Sequence, residues 1–200
     1  MGRIKKALVF IVALHVIAIV MTSCCTDYED FYWTDFSISV IDNSSRDGFQ
    51  QTIFLDVNNP IEKAKLGFQI SPDIIFPARQ QASRAGIISE AQATSCGFVT
   101  VPQHAITSIV IIARSENSEG YQVEVNATSL FRGRLMWERE VTISELISQL
   151  NCKDCREIRR FNLLLRNDSI DLRGKHIFEI TITFDDGVVL VQKTEELELV

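Results

Sequence analysis

The sequence predicts a mainly β protein, an antiparallel β-sandwich of about seven strands with one short helix. Three observations lead there. Beyond residue 33, apolar residues recur mostly with a period of two, the spacing of strands that bury one face. Runs rich in Gly, Asp, Asn and Ser separate those stretches. Convincing helical spacing appears only once.

In chain order, TDFSISVIDN (34–43) alternates, with Phe36, Ile38 and Val40 on one face and Ser37, Ser39 and Ile41 on the other. SSRDG (44–48) reads as a turn, and QTIFLDVNN (51–59) as a second alternating strand closed by Pro60. Residues 60–102 are less regular and read as an excursion with one helical turn at most. AITSIVIIAR (105–114) is short, apolar and β-branched, which fits a central strand. SENSEG (115–120) joins it as a hairpin to GYQVEVNATSLF (120–131). In RLMWERE, Trp137 falls on the inward side of the alternation. TISELISQL (142–150) sets Ile143, Leu146, Ile147 and Leu150 at helical spacing, and Thr142 with Glu145 forms a capping box. RRFNLLLRN (159–167) and HIFEITITF (176–184) are strands, and Asp185-Asp186-Gly187 turns the chain back into VVLVQKTEELEL. The expected core includes Phe36, Ile38, Val40, Ile109, Ile111, Phe161, Leu163, Ile180 and Ile182. No Cys–Trp–Cys pattern of antibody domains is present, so the sandwich is immunoglobulin-like in architecture only.

The first thirty residues speak to location. Arg3, Lys5 and Lys6 precede an apolar run, Ala7 to Met21, broken only by His15. That run is shorter than the roughly 20 residues of a membrane-crossing helix. A charged region, a short apolar region and the small residues Thr22 and Ser23 are the anatomy of an export signal. The boundaries expected are a signal at 1–23, a tether at 24–33 and a single sandwich domain at 34–200. Residues 1–23 hold three of the 20 basic side chains and none of the 26 acidic ones, so the remainder carries 17 against 26, a formal net charge of −9. That sign opposes nucleic-acid binding, which needs a basic footprint.

MTSCC resembles the bacterial lipoprotein signal, in which a short apolar and small-residue box ends in cysteine, although Met21 stands where Leu is usual. The resemblance implies acylation of Cys24 and cleavage before it. An uncut signal anchor and modification of Cys25 are the alternatives. Asp27, Glu29 and Asp30 then resemble the acidic surface-export signal of Bacteroides-type lipoproteins, or serve as a polar tether. The opening CCTDYEDFYWTDFSISVIDN and the closing hairpin resemble uncharacterised Bacteroides-type lipoproteins, families that bring no established activity. Asp168-Ser169-Ile170 resembles the short O-glycosylation site of those bacteria, which makes Ser169 a candidate acceptor.

Apart from Cys24, the cysteines are Cys25, Cys96, Cys152 and Cys155. An oxidising compartment favours disulfides over zinc, and the favoured of three pairings is Cys25–Cys96 with Cys152–Cys155. A redox role for Cys152-Lys-Asp-Cys155 would need the pair at the start of a helix beside a βαβ unit, but here it follows a helix. His104 and His176 read as surface or structural histidines, and Asp185 and Asp186 as turn residues. Phe31, Tyr32 and Trp33 read as a strand entering the core, with a sugar-stacking platform as the alternative. No hydrolase, metalloprotease, phosphate-loop or dinucleotide motif appears, and no metal or cofactor is expected.

The resulting expectation is a lipid-anchored envelope protein at the outer membrane, surface-exposed if the acids act as an export signal. It would act as a non-enzymatic binding or interaction module toward an envelope protein or glycan. An envelope thiol oxidoreductase or hydrolase and a structural subunit of a surface assembly are the alternatives. Mass spectrometry of the membrane fraction should find an acylated N-terminus at Cys24, and Cys24→Ser should move the protein to the soluble fraction. An intact Met1 terminus would refute the signal.

Overall fold

A computed structural model describes residues 28–44, 53–77, 99–116, 122–135, 138–152, 160–166 and 172–200. Its strands are β1 (Tyr28–Asp42), β2 (Leu66–Ile75), β3 (Val99–Pro102), β4 (Ile106–Glu116), β5 (Gln122–Asn126), β6 (Phe131–Leu135), β7 (Phe161–Leu165), β8 (Gly174–Phe184), β9 (Val189–Lys193) and β10 (Leu197–Leu199). Among the described residues one α-helix, α1 (Ile143–Leu150), joins them. The strands form two sheets, ordered β3-β1-β2-β7-β6 and β10-β8-β4-β5, with β9 also paired to β8. Ten described strands thus replace the expected seven or so. Their pairings are antiparallel except between β1 and β3, which run parallel over Tyr28–Phe31 and Val99–Pro102. β1 begins at Tyr28, inside the stretch assigned to the tether. Among the described residues no helix is long and apolar enough to cross a membrane.

The two sheets face each other across one apolar core. Phe68 of β2 lies 5.1 Å, ring centre to ring centre, from Phe178 of β8 and 5.5 Å from Phe131 of β6. Eight of the nine expected core residues are buried, while Ile38 is partly buried against the core. In β8, Phe178, Ile180, Ile182 and Phe184 point inward and Ile177, Glu179, Thr181 and Thr183 outward, as the alternation predicts.

The excursion at 60–102 needs correcting, because β2 lies within it and sits between β1 and β7. Its first five residues, Leu66 to Ile70, are buried on both faces, which removes the alternation that marks a half-buried strand. Pro72 also argued against a central strand. It is accommodated because β7 pairs with β2 only from Gly67 to Ile70, so a missing N–H at Pro72 costs no ladder bond on that side. Ahead of β2, Lys63–Lys65 form a single 3-10 turn.

The described part of the strand expected at 51–59, residues 53–59, does not form one. Where described, this stretch makes a single bridge, Phe54 to Ile41. Asp56 takes over its backbone: the carboxylate accepts from the Asn58 N–H at 3.1 Å, and the carbonyl accepts from the Asn59 N–H at 3.1 Å. Such local bonds favour a turn over a ladder. The long strand expected at 120–131 is also cut. β5 ends at Asn126, and a 3-10 turn at Thr128–Leu130 carries the chain from one sheet to the other. Ala127 and Leu130, three residues apart, both plunge into the core there. The turn at 44–48 and the inward placement of Trp137 fall wholly or mostly outside the described residues.

Helix α1 has both halves of its predicted capping box. The Thr142 hydroxyl accepts from the Glu145 N–H at 3.2 Å, and the Glu145 carboxylate accepts from the Thr142 N–H at 2.8 Å. The Thr142 N–H, and after it the Thr142 hydroxyl donating to the same carboxylate at 2.9 Å, hold the Glu145 carboxyl below its ordinary pKa of 4.5. This cap therefore contributes fully above that ordinary value and fades as pH falls through the lowered one. At the other end Asn151 does not adopt the left-handed geometry that would make it a terminating asparagine, since its φ is −89°. Its amide instead brackets Ile106 at the start of β4, accepting from the Ile106 N–H and donating to the Ile106 carbonyl, both at 2.8 Å.

The helix sits close on β6 because Gly133 has no side chain. A Cβ there would lie 2.5 Å from Leu146 Cδ2 and 2.7 Å from Leu146 Cβ. Gly133→Ala should therefore destabilise the fold by about 1–3 kcal/mol through overpacking. Adding Leu146→Ala should cost less in that background than alone, where about 2–5 kcal/mol is expected. Urea unfolding of the four proteins in the cycle measures this coupling, and strict additivity would refute the close approach.

Candidate functional site

The candidate site forms where three distant pieces of chain meet at one end of the sandwich. The first is Phe31-Tyr32-Trp33 in β1. Between Trp33 and Asp35 the register with β2 slips by one residue, leaving Thr34 as the extra residue of a bulge. Without the slip, Phe31 and Trp33 would oppose Phe36, Ile38 and Val40. With it, both sets turn toward the core. Phe31 is buried, while Trp33 is half-buried against Phe184 at 5.8 Å and Phe161 at 6.4 Å. The core reading holds for these two residues. Tyr32 is half-buried, with its ring centre 5.9 Å from that of His104.

The second piece is the short link from β3 to β4, which carries His104. Its backbone is pinned on both sides of the histidine: the Gln103 N–H donates to the Phe31 carbonyl at 3.0 Å, and the Ala105 carbonyl accepts from the Asp185 N–H at 2.9 Å. The third is the β8–β9 turn. The Phe184 N–H donates to the Val188 carbonyl and the Gly187 N–H to the Phe184 carbonyl, with Gly187 at φ +87°. This is the three-residue hairpin with a left-handed glycine that an aspartate–glycine pair signals. Asp186 stabilises it by accepting from the Val188 N–H at 3.0 Å through Oδ1.

These pieces place His104 between two carboxylates. Its Nδ1 lies 3.3 Å from Asp185 Oδ1 and its Nε2 3.5 Å from Asp186 Oδ2. The three side chains remain 34%, 50% and 29% exposed. Beside them is a concavity of about 90 Å³ lined by Phe31, Tyr32, Trp33, His104, Phe184, Asp186 and Val188. Sequence reading explained Asp185 and Asp186 as turn residues, which they are. It did not pair them with His104, which lies 81 residues from Asp185, because nothing in local pattern reports that meeting. Next to the site, the Gln192 amide donates to Asp35 Oδ1 at 2.8 Å and ties β9 to β1. That bond, with a further one from the Phe36 N–H, lowers the Asp35 pKa.

His176 is structural. It is buried, its ring lies 6.1 Å from Phe178, and its Nε2 reaches the Arg173 carbonyl at 3.1 Å, so Nε2 carries the proton. Cys152 stands just beyond Asn151, the residue that caps the end of α1, as expected. Cys24, Cys25, Cys96, Cys155 and Ser169 lie outside the described residues.

Two larger hollows are weaker candidates. One of about 420 Å³ is lined by Arg114, Lys175 and Glu196, but its charges are matched: Arg114 pairs with Glu124 and Glu179, and Lys175 with Glu196. Another of about 510 Å³ adjoins the start of α1, where the Thr142 hydroxyl is already used by the cap. No protein-family model, curated protein or solved structure matches the chain.

The turn that presents Asp186 depends on a conformation L-residues resist. Gly187→Ala should cost about 1–2 kcal/mol, and Gly187→Asn less, because asparagine tolerates the left-handed region better. Equal losses in thermal unfolding would show that φ is not the constraint.

Proposed function

We propose that this chain is a lipid-anchored cell-envelope protein of the outer membrane, surface-exposed in the export reading, and a non-enzymatic recognition module that meets its partner at the Tyr32–His104–Asp186 concavity. The observation that carries this reading is the convergence there of half-exposed aromatic rings, an imidazole and two carboxylates on a rigid support. Binding sites are typically apolar-walled with a few fixed polar groups. At about 90 Å³ the concavity is far below the roughly 300–1,000 Å³ of a small-molecule site. It suits one protruding group of a larger partner, an envelope protein or a glycan. An immunoglobulin-like description of the fold rests on its two-sheet architecture alone.

Enzymatic alternatives find less support. The groups paired with His104 are carboxylates, and among the described residues no Ser, Thr or Cys hydrogen-bonds to its ring. Activation of a hydroxyl or thiol nucleophile by a histidine base takes such a pair. Cys152 follows the C-terminal end of α1, where the helix dipole disfavours a thiolate, which suits a structural Cys152–Cys155 bridge.

The test is a photo-crosslinking residue at position 32 of the anchored protein in its native host, with position 129, in a different hollow, as control. A discrete adduct at 32 that disappears with Asp186→Ala is expected. Adducts at 129 and none at 32 would overturn the assignment of the recognition site.

A further inference from the structure

We infer that His104, Asp185 and Asp186 bind a divalent cation of the zinc type, through one imidazole nitrogen and one oxygen from each carboxylate. The inference adds an ion to the recognition site proposed above and rests on that reading for its role. Its geometry comes from the three side chains themselves, whose ligand atoms all lie within 4.8 Å of one another. Charge-assisted hydrogen bonds between such groups run at about 2.7–2.9 Å. The separations of 3.3 and 3.5 Å are longer. The Nδ1 to Asp185 Oδ1 separation matches the distance between neighbouring ligands on a tetrahedral zinc, about 3.4 Å for bonds near 2.1 Å, while Asp186 Oδ2 stands against the other ring nitrogen.

The donor set points to the same class. One imidazole with two carboxylates suits zinc and its neighbours. Calcium takes six to eight oxygens, whereas here a nitrogen stands among the three groups. Three protein ligands leave a fourth position, the arrangement of zinc sites that admit an outside ligand. His104 and Asp186 both line the concavity, so that position would open toward it. Asp186 faces the opposite ring nitrogen from Asp185, so loading requires the ring or that carboxylate to rotate. Their partial exposure leaves room for this. The backbone beneath stays fixed, because Asp186 Oδ1 holds the Val188 N–H and Ala105 holds Asp185.

The experiment is equilibrium dialysis of the full chain in detergent against zinc, with metal quantification and X-ray absorption of the loaded protein. One ion per chain with a shell of nitrogen and oxygen is expected. His104→Gln, Asp185→Asn and Asp186→Asn should each weaken binding by more than about tenfold without lowering the metal-free melting temperature. Val188→Phe, at a lining position that supplies no ligand, should still bind zinc while losing the adduct at position 32, which separates failure of the ion site from failure of the recognition reading. A sulfur-containing shell, or zinc affinity unchanged in His104→Gln, would overturn the inference. So would the absence of binding.

Discussion

The contact between Phe68 and Phe178, completed by Phe131, is what makes two sheets one domain. Each ring comes from a different strand, and burying each is worth about 1.5–3 kcal/mol. Around that triangle the other inward residues fall into place by parity. Once Phe68 points in, so do Leu66 and Ile70, and once Phe178 does, so do Ile180 and Ile182. The opposite face of the first sheet then receives Ile41, Gly67 and Leu164, also buried. Asn43 seals that side, its amide donating to the Leu66 and Leu165 carbonyls at 3.0 and 2.8 Å.

The candidate site depends on this frame at one remove. Parity would send Phe31 and Trp33 outward if β1 were regular, and the bulge at Thr34 corrects that. The same slip leaves Tyr32 beside His104 instead of in the core. On the other sheet, Phe184 is the last inward residue of β8, and the carboxylates follow it directly in the turn. The site is therefore the rim of the core, where inward aromatics end and turn residues begin.

Period-two patterning made most of the architecture legible, because burial of one face writes itself into alternate positions. β1 and β8 could be read this way, β4 and β7 as short apolar runs bounded by polar residues, α1 from its capping box and the β8–β9 hairpin from Asp-Gly. β2 was hidden because burial on both faces erases the alternation, and the parallel β1–β3 pairing because periodicity names a face and never a neighbour. The same gap hid the site. Tyr32, His104 and Asp185 each had a sufficient local explanation, and only the strand order brings them together. Asn151 shows the reverse case. The helix end was foreseen, but the side chain's bracket on Ile106 depends on where β4 lies.

The early start of β1 shortens the leash. If lipid is attached at Cys24, four residue steps separate it from Tyr28, the first residue of the strand, a reach of at most about 14 Å. Tyr32 lies four steps further along the rigid strand, so the concavity could stand no more than about 28 Å above the acyl chains. A domain held that closely samples a thin layer above the bilayer instead of bulk solvent. Within that layer its effective concentration toward other membrane-bound molecules is high, and modest intrinsic affinity becomes sufficient. Partners diffusing freely beyond the layer gain nothing from it.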